Sequence, residues 1–139
     1  MRIETLNPDD QHALDREIET GNRIAEYYLD RRWDGALSTL DTLLDLWIQD
    51  TREAKPSANE IALGLGSLAG SYLCRNHQCT WVVITDSVGC NLGVLHGDTE
   101  WQLFPRHWIA KRIGSAAAGD KLISGILDDL REQGMIGIA

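Results

Sequence analysis

The segment GLGSLAG, residues 64–70, constrains the fold of this chain more than any other stretch of its sequence. It fits the pattern G-x-G-x-x-[GA], in which glycines form a tight turn around the phosphates of a dinucleotide. It also fits a helix whose small residues let a neighbouring element approach closely. The two interpretations require different folds, because the phosphate-binding turn must follow a strand and open a helix within a βαβ unit.

The residues before the glycines favour the helix. Ser57 and Glu60 fit the capping box S-x-x-E, so a helix is predicted to begin near Ser57 and to run to about Arg75. Only residues 61–63 would remain for a preceding strand. The segment has few polar residues, so the predicted helix should be buried on most sides.

The residues after the glycines also favour the helix. Asp86 stands twenty residues beyond Gly66, a suitable place for a ribose-binding acid. Asp86 also opens the sequence DSVG, where aspartate is favoured as a turn residue. The interpretation that we adopt is a core helix, in which Gly66 and Gly70 lie on one face and pack closely against another element.

Two amphipathic helices are predicted ahead of this segment. Asn7 suits the N-cap of the first, Pro8 suits its first position, and apolar residues recur at helical spacing to near Leu29. The second is predicted from about Asp34 to Asp50. Because both carry an apolar stripe, we predict an antiparallel helical hairpin.

Short strands are predicted after the buried helix. Aromatic and β-branched residues indicate strands at residues 80–85, 91–96 and 100–104, joined by tight turns. Such short connections imply a three-stranded antiparallel meander. A short helix is predicted from Pro105 and a last one over about residues 120–133, followed by the apolar tail MIGIA.

Together these elements predict an α+β fold in a single domain of 139 residues. The N-terminal helical hairpin and the buried third helix pack on the three-stranded antiparallel meander, and C-terminal helices complete the domain. Its parts are an acidic helical hairpin (1–55), a central core (57–113), and a C-terminal helix with a tail (119–139).

The negative charge is concentrated in the N-terminal part. The formal net charge is -8, and residues 1–60 carry 14 acidic against 7 basic side chains. Nucleic acid is not an expected ligand, because its binding depends on cationic side chains that neutralise phosphates. A basic protein partner suits this charge, and solubility alone also explains it. The predicted contacts lie along the second helix: Asp34, Asp41 and Asp45.

The sequence also indicates a compartment. The opening residues MRIETLNPDD contain no apolar core of a signal peptide, and no window approaches the roughly 18 apolar residues of a membrane span. We predict a cytoplasmic protein that does not bind a membrane. Cys74, Cys79 and Cys90 are then expected to be reduced thiols.

No cofactor or metal is predicted, because no second pair of ligands accompanies Cys74 and Cys79 as a structural zinc site requires. A catalytic site would need an acid, a nucleophile and bases from the β region to converge in a cleft. The candidates for that alternative are Asp86, Cys90, His96 and His107.

A second group of candidate contacts lies near the helix that begins at Pro105. Aromatic and arginine side chains are enriched at the centres of protein interfaces, so these residues are predicted to bind a partner where they are exposed. They are Trp101, Trp108, Lys111 and Arg112.

The middle of the chain carries a recognisable order of motifs. The motifs are IALGLGSLAGSYL, WVVITDSVGCNLGV and FPRHWIAKRI, within about residues 59–113. In this order and spacing they resemble the bacterial domain-of-unknown-function family 3806. The resemblance implies an α+β domain of bacterial origin and implies no particular reaction. Gly64 is an extra glycine relative to the family's pattern.

The acidic N-terminal part and the lack of a strong catalytic motif lead to one functional hypothesis. The chain is a non-enzymatic protein-binding domain, for example an immunity-type inhibitor of a basic toxin. Two alternatives stay open. One is a small cytosolic enzyme that uses the β-region candidates, and the other is a homodimeric scaffold that associates through the tail MIGIA.

Overall fold

The computed structural model describes residues 1–97, 101–115, 123 and 125–132. Within these residues the predicted α+β fold class is confirmed. The elements follow one another as β1 (Arg2–Thr5), α1 (Pro8–Leu29), α2 (Leu37–Gln49), α3 (Ala58–Asn76), β2 (Cys79–Thr85), β3 (Cys90–His96), β4 (Gln102–Leu103), α4 (Pro105–Ser115) and α5 (Gly125–Glu132).

The predicted starts of α1 and α3 are confirmed by their capping boxes. The Asn7 side chain accepts the backbone N–H of Asp10 at 2.8 Å, and the Asp10 carboxylate accepts the N–H of Asn7 at 3.1 Å. Ser57 and Glu60 exchange the same two bonds at the start of α3. These bonds satisfy amide groups that a helix start otherwise leaves open.

Helix α3 is the centre of the packing, and α1 crosses it at a pair of glycines. A Cβ atom at Gly64 would lie 2.9 Å from the Cα and N atoms of Gly21, and a Cβ atom at Gly21 would lie 2.5 Å from the carbonyl oxygen of Gly64. Side chains at this crossing would force the helices apart. The principal neighbour of α1 is therefore α3, and its packing against α2 is sparse.

The other glycines of α3 face different neighbours. A Cβ atom at Gly66 would lie 2.9 Å from the backbone N and Cα atoms of Arg106 at the start of α4, and one at Gly70 would collide with the ring of Trp81 in β2. The prediction that Gly66 and Gly70 allow close packing is confirmed. The glycines lie inside a continuous helix that follows α2, so they do not form a strand-to-helix phosphate turn.

The strands form one antiparallel sheet in the order β1-β2-β3-β4. The predicted number of three strands is wrong, because β1 pairs with β2 from Arg2↔Thr85 to Thr5↔Val82. The β2–β3 hairpin is confirmed and pairs along both strands. Strand β4 is shorter than predicted and spans Gln102–Leu103.

The hydrophobic core lies between the helices and the face of the sheet that carries Val94. Helices α4 and α5 add Ile109 and Ile126 to it, and Ile123 is also fully buried there. None of the helices in the described part of the chain combines the length and the apolar character needed to cross a membrane. The predicted linker beyond residue 115 and the tail MIGIA lie outside the described residues.

Candidate functional site

The first of the predicted acidic contacts, Asp34, stabilises the segment that enters α2. Its carboxylate accepts the Thr39 hydroxyl at 2.7 Å and the N–H of Ala36 at 3.1 Å, and Arg31 lies 3.8 Å away. The Thr39 hydroxyl, followed by the Ala36 amide, holds the pKa of Asp34 below its ordinary value. The carboxylate is therefore ionised at neutral pH and lies at the surface.

The other two predicted acidic contacts, Asp41 and Asp45, have different roles. The carboxylate of Asp41 accepts the backbone N–H of Ile123 at 2.6 Å, so it fixes a buried residue 82 positions further along the chain. Asp45 is half-buried on α2, where it accepts the side-chain N–H of Gln49 at 3.0 Å. Asp41 thus anchors the C-terminal part, whereas Asp45 bonds to a side chain of its own helix.

A buried carboxylate that the sequence did not single out lies at the end of α2. The side chain of Asp50 is only 5% exposed, and it accepts the Tyr28 hydroxyl at 2.8 Å and the Arg52 guanidinium at 2.9 Å. The Arg52 guanidinium also lies 4.9 Å from the ring centroid of Tyr27. The bonds from Arg52, and then the Tyr28 hydroxyl, hold the pKa of Asp50 well below its usual range. These contacts join α1 to the α2–α3 connection.

The four catalytic candidates do not converge. Asp86 accepts the N–H groups of Val88 and Gly89 at 2.8 and 3.1 Å, so its carboxylate serves the β2–β3 turn. Cys90 begins β3 and is exposed, whereas His96 ends the same strand and is buried. Seven residues of strand span roughly 20 Å, so the thiol and this imidazole lie at opposite ends of the sheet.

The fourth candidate, His107, lies on the exposed side of the first turn of α4. Its ring centroid lies 5.5 Å from that of Phe104. The alternative of a small enzyme required these four residues to share a cleft, and the structure does not bring them together in one.

The other thiols also lack the character of nucleophiles. Burial raises the pKa of Cys74 to about 12 and that of Cys79 to about 11, so both are protonated near neutral pH. Burial, with Arg131 and His96 nearby, lowers the pKa of His77. Across residues 1–97, 101–115, 123 and 125–132, no three His, Cys, Asp or Glu side chains are grouped to hold a metal ion.

Of the four candidates around α4, the two tryptophans pack against the core and the two basic side chains lie nearer the surface. Trp101 and Trp108 are half-buried and pack against the core. Lys111 is exposed, and the guanidinium of Arg112 lies 4.0 Å from the ring centroid of Trp108. Arg106, earlier in α4, forms an ion pair with Glu17 of α1. The outward side of α4 thus presents basic side chains.

A surface groove follows the seam between α1 and α3, and no motif in the sequence predicts it. It consists of two adjoining recesses of about 290 and 390 Å³, which share Ile18, Ser71 and Arg75. Trp33 lines one recess and Trp81 the other. Within the described ranges the Arg75 guanidinium makes no ion pair and no side-chain hydrogen bond. We name this feature the α1–α3 groove.

These features define an α+β protein whose helices pack through α3 onto a four-stranded antiparallel sheet. A crystal structure of a protein from Bacteroides thetaiotaomicron VPI-5482 has a similar fold, with a TM-score of 0.70 and 10% sequence identity. The alignment covers 93% of this chain and 48% of that one, so the chain spans about half the length of the protein it matches.

No family model and no curated protein matches the chain. The resemblance to the bacterial domain-of-unknown-function family 3806 therefore stays a prediction. The similarity to the solved structure concerns the fold alone.

Proposed function

We propose that this chain is a non-enzymatic protein-binding domain that recognises a basic partner through its acidic N-terminal part. The observation that carries the proposal is the charge distribution, in which 14 acidic side chains oppose 7 basic ones over residues 1–60. An excess of one sign on one region steers an oppositely charged protein towards it and suppresses other partners. The separation of the catalytic candidates removes the observation that favoured an enzyme.

The proposed contact surface is the exposed side of α2 and the segment before it. Asp45 and Asp34 supply carboxylates at this surface, whereas Asp41 acts indirectly by fixing the backbone at Ile123. The basic partner would therefore meet acids that the fold already holds in place. Such preorganisation lowers the entropy that is lost on binding.

The more specific form of the proposal is an immunity-type inhibitor that neutralises a basic toxin in a bacterial cytoplasm. The acidity of the chain supports it, since a basic toxin that acts on nucleic acid needs cationic side chains that an acidic inhibitor can cover. Trp108, Lys111 and Arg112 are proposed as an additional contact surface on α4.

The proposal is tested by capture experiments that compare Asp45→Lys with Asp128→Lys. Both variants make the same charge change. Asp45 is half-buried on α2, whereas Asp128 is exposed and lies far along the chain in α5. We expect a basic bacterial protein to bind the unmodified chain and Asp128→Lys at low salt, and to be lost from Asp45→Lys and at high salt. Equal capture by all three baits, with no effect of salt, would contradict the acidic surface.

A second candidate function is recognition of an acidic segment by the α1–α3 groove. Arg75 favours it, because among the described residues this cation has no ion-pair partner and lies in a groove that Trp33 and Trp81 line together with Asp34. A partner helix with one carboxylate between apolar side chains matches this arrangement. In the capture experiment, Arg75→Glu would then remove a partner that Asp45→Lys retains.

A further inference from the structure

Strand β1 is an edge strand with an exposed surface. It pairs with β2 on one side, and on the other side no strand of the described chain follows it. All four of its residues are exposed, including the side chains of Arg2 and Glu4, at 72% and 54%. Gln102 of β4 reaches the residue just before the strand, where its side-chain N–H lies 3.8 Å from the sulfur of Met1.

An edge strand offers open backbone N–H and C=O groups to any other strand, and proteins protect such edges by making them short and charged. Strand β1 has both properties, with Arg2 and Glu4 on either side of Ile3. Charges on an edge exclude most partners, because a mismatched strand places like charges opposite each other. A partner strand must therefore carry the complementary order of charges.

We propose that the complementary strand is β1 of a second copy of this chain, paired antiparallel about Ile3. In that register Arg2 of each copy faces Glu4 of the other, and the two Ile3 side chains face each other across the two-fold axis. The sequence R-I-E is self-complementary in this orientation, so one register satisfies both charge pairs. The two sheets then form one continuous sheet.

The apolar groups at this edge support the same register. Ile3 is 39% exposed and Met1 81%, and both would be partly covered by the second copy. Within one copy the Arg2 and Glu4 side chains already form an ion pair at 2.8 Å. In the dimer the two contacts within the copies are exchanged for two equivalent contacts between them, so neither charge is left without a partner.

The proposed interface is small, because only four residues of each chain pair. Stable protein interfaces bury roughly 1,200–2,000 Å² in total, and smaller ones are transient. We therefore expect a reversible dimer that is populated only at high protein concentration. The inference goes beyond the proposed binding of a basic partner, since it concerns a different edge of the molecule.

The experiment is sedimentation equilibrium of the 139-residue chain with no tag at its N-terminus, over a range of concentrations. The variants are Arg2→Glu, Glu4→Arg and the double exchange. We expect each single variant to dimerise at least tenfold more weakly. The double exchange should return the dimer dissociation constant to within about threefold of the original value.

An equimolar mixture of the two single variants provides the decisive control. Neither variant retains the ion pair within β1, because Arg2→Glu leaves two acidic side chains in the strand and Glu4→Arg leaves two basic ones. A mixed dimer places the acidic strand opposite the basic strand. We expect the mixture to form this mixed dimer at close to the original strength, although each variant alone dimerises at least tenfold more weakly.

Three results would overturn the inference. They are a chain that stays monomeric at every concentration, single variants that dimerise as the original does, and a mixture that does not associate. Truncation after Gln133 separates this surface from the tail MIGIA, since β1 pairing should survive the truncation. The double exchange keeps the charge of residues 1–60, so its capture of a basic partner should equal that of the original chain, and failure of one proposal does not imply failure of the other.

Discussion

Helix α3 and strand β1 show two opposite ways in which this chain forms an element. Helix α3 has its own start signal in Ser57 and Glu60, and its glycines lie against α1, α4 and Trp81. Strand β1 has one apolar residue, exposes all four side chains and depends on pairing with residues 82–85. Close packing therefore determines the interior, whereas the edge is formed by backbone pairing and left open for other contacts.

Filling the crossing of α1 and α3 should cause the greatest loss of stability. In Gly64→Ala the new methyl group meets backbone atoms of Gly21 at 2.9 Å, which cannot move without shifting a helix. Overpacking costs up to about 3 kcal/mol and alanine regains about 1 kcal/mol of helix propensity, so we expect a net loss of roughly 2 kcal/mol. Urea unfolding followed by circular dichroism measures it.

Gly114→Ala is the matched control, because a Cβ atom at Gly114 in α4 has no atom within 4 Å. We expect it to be neutral or to raise the free energy of unfolding by up to about 1 kcal/mol. If the two alanine variants were equally stable, the close crossing would not be what requires glycine at position 64.

A smaller loss is expected from Asp41→Ala, which leaves the buried N–H of Ile123 without its carboxylate. The loss of a hydrogen bond to a charged group costs about 1.5–3 kcal/mol, and we expect the lower part of that range because the site is half-buried. Faster hydrogen exchange at the Ile123 amide would locate the effect. Asp45→Ala should change exchange at that amide little, and an equal change would contradict the different roles of the two acids.

The Asp50 contacts predict a dependence on pH. The pKa of Asp50 is lower in the folded chain than the value of about 3.9 in an unfolded one, so its stabilising contribution is complete above that value and is lost as the pH falls. Asp50→Asn should therefore lower Tm at neutral pH, and the difference from the original chain should shrink below about pH 4. A constant difference across this range would show that the ionised carboxylate is not responsible.

A change at the edge of the sheet should have the least effect on stability. Ile3→Ala removes a side chain that is 39% exposed, and surface changes are usually within about 0.5 kcal/mol. Thermal unfolding at low protein concentration, where the chain is monomeric, measures this. A loss as large as that of Gly64→Ala would mean that β1 is as important to the interior as α3 is.

Most of the helical part of the fold could be predicted from the sequence, because its signals are local. The caps at Asn7 and Ser57 and the apolar spacing lie within a few residues of the helices that they define. Strand β1 could not be predicted, since its partner lies about eighty residues away and its own sequence alternates charge with a single apolar residue.

The candidate site could be predicted only in part, because several of its contacts also join residues that lie far apart in the sequence. The spacing of Asp34, Asp41 and Asp45 could be read from the sequence, but Asp34 lies before α2 and the contact between Asp41 and Ile123 joins residues 82 positions apart. Asp50, Tyr28 and Arg75 acquire their roles only through neighbours that the fold brings together.

The proposal that the surface around Asp45 binds a basic protein is tested most directly by photo-crosslinking in bacterial cells. A crosslinking amino acid is placed at position 45 in one variant and at position 128 in a control. We expect a discrete adduct with a basic protein at position 45 and none at position 128. No adduct at position 45, or the same adducts at both positions, would contradict the proposal.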